Sequence, residues 1–256
     1  EKSESPLFKV GDTIRSSIGW QELAAIPAHT AKPVNPDLGP VSTGVGVLGM
    51  PGMTAYFGLL EVLKPRAGDT LVVSAASGAV GAVVGQIGKI NGCNVIGVAG
   101  SDEKCEYTVN ELGFNSAINY KTQDVSAELA RLAPNGVDCY FDNVGGPVTD
   151  AVFDNLALKA RIAICGQISQ YNAATPAQGP RNLSVLTRNR ATVEGFLVYD
   201  FELQHEIARA RIANWIKDGQ IKYKEDVVDG FENAPEAFIG LLNGKNFGKL
   251  LIKVSE

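Results

Sequence analysis

The stretch LVVSAASGAVGAVVGQIGKI (residues 71–90) decides how this chain folds. Its opening residues are aliphatic without polar alternation, as in a strand buried on both faces. A cluster of small residues follows, then apolar positions at helical spacing. Strand, tight turn and helix in that order are the context in which a glycine-rich turn holds a dinucleotide. The usual G-x-G-x-x-G is here A-x-G-x-x-G, with Ala76, Gly78 and Gly81 at the three positions. The first position allows the turn, the second lets main chain approach a pyrophosphate, and the third lets helix pack against strand. Alanine meets the first demand if its φ stays negative; Gly78 carries the demand that a side chain defeats. N–H groups and the dipole at the helix start then face phosphate. The alternative is close helix–strand packing without a ligand.

Outward from this stretch, short apolar runs alternate with helical ones over residues 70–198, the signature of a parallel sheet with crossover helices. Strands are predicted at 70–74, 94–98, 117–119, 137–141, 161–165 and 192–198, and helices at 79–91, 102–112, 125–132 and 147–156. Gly92 and Gly113 follow two of these helices, where a left-handed residue is favoured. Ser101 is placed to N-cap the second, with Asp102 and Glu103 facing its positive end. Beyond residue 198 we predict a helix at 201–218 with apolar Ile207, Ile212 and Ile216, a strand in IKYKEDVVDGF, a short helix in NAPEAFIGLLNGKN and a final strand in FGKLLIKV. That last strand has no place in the parallel sheet and is assigned with residues 1–48 to a β-rich unit. The opening segment has a turn at Val10-Gly11-Asp12 inside an alternating pattern, so the chain reads as starting in the middle of a β-rich domain. The expected division is 1–48 partial β-rich domain, 49–219 dinucleotide-binding domain, 220–256 return to the first. Residues 167–183, with Pro176, Gly179 and Pro180, form a loop long enough to be functional.

The 256 residues are 45% hydrophobic and 20% charged with 28 Gly, an ordinary globular composition. A net charge of −5 gives no basic field for nucleic acid or anionic membrane. No apolar run is long enough to span a bilayer and no signal-like start is present. Cys93, Cys105, Cys139 and Cys165 are 12, 34 and 26 residues apart, which matches no zinc or C-x-x-C spacing. They are expected as reduced, mostly buried thiols of a cytoplasmic protein. His29 and His205 are expected at the surface or in loops, and Trp20 and Trp215 in packing.

The second strand selects the cofactor. NAD sites usually place an acid at its tip, about 20 residues beyond the glycines, for the ribose 2′-hydroxyl. This strand ends Val98-Ala99-Gly100-Ser101, with no acid, and Lys104 follows one turn into the helix where it can reach a 2′-phosphate. NADP(H) is therefore favoured over NAD(H).

Taken together, GVLGMPGMTAYFGLLEV, AASGAVGAVVGQIGK, AGSDEK, LGFNSAINYK, YFDNVGG, ICGQISQYN and GFENAPEAFIGLLNGKNFGKLLIKV resemble the zinc-independent medium-chain dehydrogenase/reductases, in the prostaglandin reductase and curcumin reductase branch. The resemblance runs from about Gly11 to the last strand. It implies an α/β fold: a doubly wound parallel (Rossmann) sheet plus part of a GroES-like β-rich substrate domain, whose N-terminal portion would lie ahead of this start. It also implies NADPH and the residues that hold it. Gly78, Ala79, Val80 and Gly81 would form the pyrophosphate turn. Lys104 and Tyr120 would hold the 2′-phosphate. Asn143 would sit beside the cofactor at a strand end. Cys165, Gly166, Gln167, Ile168, Ser169 and Tyr171 would wrap the nicotinamide half, completed by Phe196, Leu197, Val198 and Asn246. Where zinc relatives carry a Cys ligand, this chain has GMPGMTAYFG, so no metal is expected.

The chemistry implied is hydride transfer to the β-carbon of an α,β-unsaturated carbonyl, with charge developing on the carbonyl oxygen. Tyr171, on the long loop, is the candidate donor to that oxygen; Tyr56 is a weaker one, better read as packing. A small-molecule enone or alkenal is the expected partner. A homodimer joined at the edge strand 192–198 is expected as well. The alternatives are a quinone oxidoreductase of the same superfamily and a non-catalytic NADP-binding protein or fragment; a zinc alcohol dehydrogenase ranks last.

Overall fold

Proline limits how much of the first 48 residues becomes sheet. The computed structural model describes residues 2–255, and in its first part only β1 (Ile14–Arg15) and β2 (Lys32–Pro33) pair, antiparallel over two residues each. Pro27, Pro33, Pro36 and Pro40 each remove a ladder donor, and three short 3₁₀ turns take the remaining backbone. The β-rich reading of this segment is corrected to that extent.

Helix α1 (Met50–Phe57), buried except at Met50, runs on into a π-helical turn, Gly58–Leu63, that buries Gly58, Leu59 and Leu63. The chain then enters the sheet: β3 (Thr70–Ser74), α2 (Gly81–Ile90), β4 (Asn94–Ala99), α3 (Asp102–Asn110), β5 (Ser116–Asn119), α4 (Val125–Leu132), β6 (Val137–Asp142), α5 (Gly146–Phe153), β7 (Leu156–Ile164), α6 (Ser184–Asn189) and β8 (Thr192–Gly195). The six strands are all parallel, in the order β5-β4-β3-β6-β7-β8. This is the doubly wound sheet expected from residues 71–90. Alternate residues of each strand enter opposite apolar layers. Leu71, Val73, Val95, Cys139 and Phe141 face α1 and α2, while Val72, Ile96, Ile118, Tyr140 and Ile162 face the other way.

The larger differences from the expected boundaries have local reasons. β7 begins at Leu156, not at 161, and its register with β6 shifts between Val137 and Cys139; Lys159, at φ +63, is the irregular residue. β8 ends at Gly195 because Phe196 turns inward, edge-on to Phe141 at 6.0 Å, over the space that Gly58 leaves open. The helix predicted at 201–218 is a 3₁₀ stretch, Val198–Gln204, followed by α7 (His205–Lys217). Ile212 is buried on α7, but Ile207 is 71% exposed and does not belong to the core stripe.

The final strands pair with each other. β9 (Glu225–Asp229) and β10 (Lys249–Lys253) form a parallel pair connected through α8 (Ala234–Leu242), not a continuation of β1 and β2. Gly248, just before β10, makes a parallel bridge to Gly78, so the closing segment is seated on the glycine turn.

Close packing of α2 on the sheet is a testable requirement. A Cβ at Gly85 would lie 1.9 Å from the Phe114 ring. Overpacking of this kind costs about 1–3 kcal/mol. Gly85→Ala is expected to lower the thermal midpoint by several degrees, followed by circular dichroism; an unchanged midpoint would show that Phe114 gives way freely.

Candidate cofactor-binding and active site

The carboxyl ends of β3, β4, β6 and β7 open onto a cleft of about 1210 Å³. It lies where the strand order reverses about β3 and β6, the position at which doubly wound sheets bind ligands. All the sequence-predicted site residues line it except Gln167.

At the glycine turn the left-handed residue is Ala75, at φ +50, and Ala76 stays out of the positive region. The Ala75 carbonyl accepts the Gly78 N–H at 2.9 Å. A Cβ at Gly81 would stand 2.4 Å from that carbonyl oxygen, and one at Gly78 3.1 Å from it. Within the protein itself, Gly81 is thus the stricter requirement; Gly78 is tight, with its free side toward the cleft. Helix α2 starts at Gly81, two residues later than predicted. No acceptor among the described residues takes the Val80 or Gly81 N–H. Two unpaired donors on the cleft wall at a helix start fit a pyrophosphate.

At the tip of β4, Ser101 N-caps α3, its Oγ accepting the Lys104 N–H at 3.3 Å. Asp102 accepts from Asn119 Nδ2 at 2.7 Å and is engaged away from the cleft. Lys104 Nζ donates to the Gly244 carbonyl at 2.8 Å. Burial and, next, the neighbouring Lys121 ammonium hold the Lys104 pKa below its ordinary value. Lys121 also lines the cleft, and the Tyr120 ring lies over Gly100, where a Cβ would meet it at 3.0 Å. Two mutually repelling ammonium groups beside an aromatic ring, with no acid at the strand tip, suit a dianionic group. Lys121 was overlooked in the sequence, although it directly follows Tyr120 and carries the same logic as Lys104.

At the other end, Asn143 Nδ2 donates to the Ser74 carbonyl at 2.8 Å and its N–H to Ser74 Oγ at 2.9 Å. The turn after β6 is therefore tied to the end of β3. Cys165 and Gly166 donate their N–H groups to the Asp142 carbonyl at 2.8 and 3.1 Å. Ile168–Gln170 is a 3₁₀ turn, and Ser169 Oγ fastens it to the Val144 carbonyl at 2.6 Å. Tyr171 is 64% exposed, and its hydroxyl accepts the Gln167 N–H at 3.2 Å. The phenolic proton remains uncommitted. Gly166 permits this placement, since a Cβ there would meet the Tyr171 hydroxyl at 2.8 Å. Gln167 serves this turn and does not face the cleft. Leu197 and Val198 line the wall with Phe196, and Asn246 Nδ2 closes its own loop on the Gly248 carbonyl at 2.9 Å.

The other residues weighed in the sequence divide. Tyr56 is buried against Phe57 and Trp215, its hydroxyl accepting from Arg211 at 3.1 Å, and is absent from the cleft. Trp215 packs as expected. Trp20 does not: it is 60% exposed, edge-on to Phe238 at 5.4 Å, on the cleft wall. Only the fold brings these two residues together. His29 is exposed, whereas His205 is half-buried, 5.6 Å from the Phe57 ring and bonded to the Val198 carbonyl. All four cysteines are free. Among the described residues, no three His, Cys, Asp or Glu side chains converge on a metal-sized site, and no helix is long and apolar enough to cross a membrane.

A family model described as zinc-binding dehydrogenase matches residues 79–214. The chain is 46% identical over 256 residues to the NADP(+)-dependent 2-alkenal reductase of Nicotiana tabacum, covering 99% of this chain and 74% of that one. It is 44% identical over 269 residues to the NADPH-dependent curcumin reductase of Escherichia coli, covering 99% and 75%. The crystal structure of CurA from Vibrio vulnificus in complex with NADPH superimposes with a TM-score of 0.86 at 44% identity, covering 97% of this chain and 75% of that one.

The cysteine on the cleft wall can be tested directly. Burial first, and the Asp142 carboxylate second, push the Cys165 thiol up to about 12. Burial likewise pushes Cys93 up to about 11 and Cys139 up to about 12. At pH 8 a thiol near 12 is on the order of one part in ten thousand thiolate, and one near 11 on the order of one part in a thousand. Alkylation of the folded protein read by mass spectrometry is expected to be slow at all three, fastest at Cys105, and to show no inflection below pH 10. Rapid labelling of Cys165 would instead mark it as a reactive nucleophile.

Proposed function

The chain belongs to the zinc-independent branch of the medium-chain dehydrogenase/reductases, and we propose that it reduces the C=C bond of α,β-unsaturated ketones and aldehydes with NADPH. The observation that carries this reading is the acid-free tip of β4 with Lys104, Lys121 and Tyr120 around it, in a chain similar to alkenal and curcumin reductases over nearly its whole length. Residues 49–219 supply most of the cofactor side of the cleft, and residues 1–48 and 220–256 add Trp20 and Phe238 to its apolar wall.

The roles follow from where the side chains sit. Ala79, Val80 and Gly81 receive the pyrophosphate on their N–H groups, and Gly78, its own N–H held by the Ala75 carbonyl, lets the main chain come close. Lys104, Lys121 and Tyr120 hold the 2′-phosphate. Asn143, the segment from Cys165 to Tyr171, and Phe196 to Val198 enclose the nicotinamide, with Asn246 closing the wall. When bound, the cofactor supplies the hydride for the β-carbon of the substrate. The apolar wall of Trp20, Phe196, Leu197 and Phe238 excludes water and holds the substrate against that end. The Tyr171 hydroxyl donates to the carbonyl oxygen where negative charge develops, the moment at which a positioned donor counts. Its accepted bond from Gln167 leaves that proton pointing outward, and its exposure lets the ring swing onto the substrate.

A simple enone assayed with NADPH, with NADH as control and products identified, tests the reading. Saturated ketone formed with NADPH preference is expected; consumption without saturated product would remove it. Tyr171→Phe is expected to lower kcat by about a hundredfold with little change in NADPH affinity, and unchanged turnover would take the donor role from Tyr171. Lys104→Glu combined with Lys121→Glu is expected to raise the KM for NADPH and erase its preference over NADH.

The assembly proposed is a two-fold dimer. β8 forms the sheet edge and all four of its residues are exposed, which leaves a strand able to pair with a copy of itself. Light scattering is expected to give a dimer at micromolar concentration; a monomer at every concentration tested would exclude the pairing.

A further inference from the structure

The floor of the nicotinamide end contains a carboxylate to which the mechanism above gives no task. Asp142 closes β6 and is completely buried. Its Oδ1 accepts from Tyr140 Oη, Val144 N–H and Gly145 N–H, each at 2.9 Å, and from Ser74 Oγ at 3.3 Å. Its Oδ2 accepts from Thr149 Oγ1 at 2.6 Å. Five donors converge on one side chain, yet among the described residues no cation pairs with it. A buried carboxylate neutralised only by dipoles keeps a long-range field in a low-dielectric interior.

The position of that charge matters. Asp142 is one hydrogen bond from Ser74, next in sequence to Asn143 and bonded to the Val144 N–H, and all three of these residues are on the cleft wall. Its main-chain carbonyl holds Cys165 and Gly166 from the opposite side. The field already reaches the wall, since Asp142 contributes to raising the Cys165 thiol. A structural polar residue would need the hydrogen bonds but not the charge.

We propose that Asp142 is a positioning residue for the nicotinamide end of the cleft and that its negative charge favours the oxidised, cationic nicotinamide ring over the reduced, neutral one. The inference rests on the reading of the cleft as an NADPH site. A fixed anion at that end stabilises the positive charge that the ring would gain as hydride leaves, so it promotes donation to the substrate.

Asp142→Asn tests it almost as a pure charge deletion. Asn Oδ1 retains the four donors on that side, and Nδ2 donates to Thr149 Oγ1, whose own proton turns to Tyr140 Oη 3.3 Å away. The measurement is the Kd of NADPH by fluorescence titration and of NADP+ by competition, in the wild-type chain and in D142N. The expected result is an increase of about tenfold in the ratio Kd(NADP+)/Kd(NADPH). A purely structural role moves both constants by the same factor, and that outcome overturns the proposal. Failure of the wild-type chain to bind either dinucleotide overturns the reading of the cleft and this inference with it. Should D142N not fold, Thr149→Val keeps the carboxylate and removes its Oδ2 donor. The ratio is then expected to fall, because the charge is less neutralised; an unchanged or increased ratio overturns the proposal.

Discussion

The carbonyl oxygen of Ala75 sets the distance between β3 and α2, and the rest of the site depends on that spacing. It accepts the Gly78 N–H and stands where a side chain at Gly81 would collide. Ala75 is held left-handed to aim it there, at a cost of about 1–2 kcal/mol for a non-glycine residue. The gain is a helix that begins against the strand end with donors facing outward. The same turn receives the bridge from Gly248, so β9, β10 and the residues around Asn246 take their position from it. One constraint of main-chain packing thereby fixes the middle of the cleft and brings the C-terminal segment to its wall.

Selection between cofactors is a matter of charge balance at one strand tip. Asp102 and Glu103 stand close in sequence but do not line the cleft, and Asp102 takes a bond from Asn119 at the helix start. Lys104 and Lys121 remain, and after burial the Lys121 ammonium is the next cause that disfavours the charge on Lys104. Such a pair is unfavourable in the empty protein and is relieved when a dianion comes between them. A neutral 2′-hydroxyl offers no comparable relief. On the proposed reading of this tip, the preference for NADPH arises from what the ligand cancels as much as from bonds it forms.

The sheet was legible because its information is local. Residues 71–90 carry strand, turn and helix in sequence, and the apolar runs of β4, β6 and β7 show their double burial in composition alone. Ser101 announces its cap, and Lys104 is visible by its distance from the glycines. What escaped is set by contacts between distant residues. Phe196 leaves β8 because Gly58 makes room for it, 138 positions earlier in the chain. Ile207 is apolar like Ile212 and Ile216, but five residues before Ile212 on the same helix it lies about 140° round the axis and faces solvent. Trp20 meets Phe238 across the cleft, a juxtaposition that no window of sequence contains. Asp142 was passed over because a single acid before Asn-Val-Gly-Gly looks like an ordinary turn residue until its five donors are in place.

These elements give the cleft a polarity along its length. Lys104 and Lys121 make the β4 end cationic, the bare N–H groups of Val80 and Gly81 make its middle a hydrogen-bond donor surface, and the buried carboxylate of Asp142 makes the β6 end anionic. NADPH has the matching order of charge, with phosphates at one end and in the centre and, at the other end, a ring that gains positive charge as the reaction proceeds. Net charge contributes nothing to this match, since the protein as a whole carries −5 and repels an anionic cofactor at long range. Affinity must therefore come from short-range placement within the cleft, where screening by salt is weak. That placement starts from three strand ends of one sheet, tied together by Ser74, Asn143 and the Asp142 carbonyl.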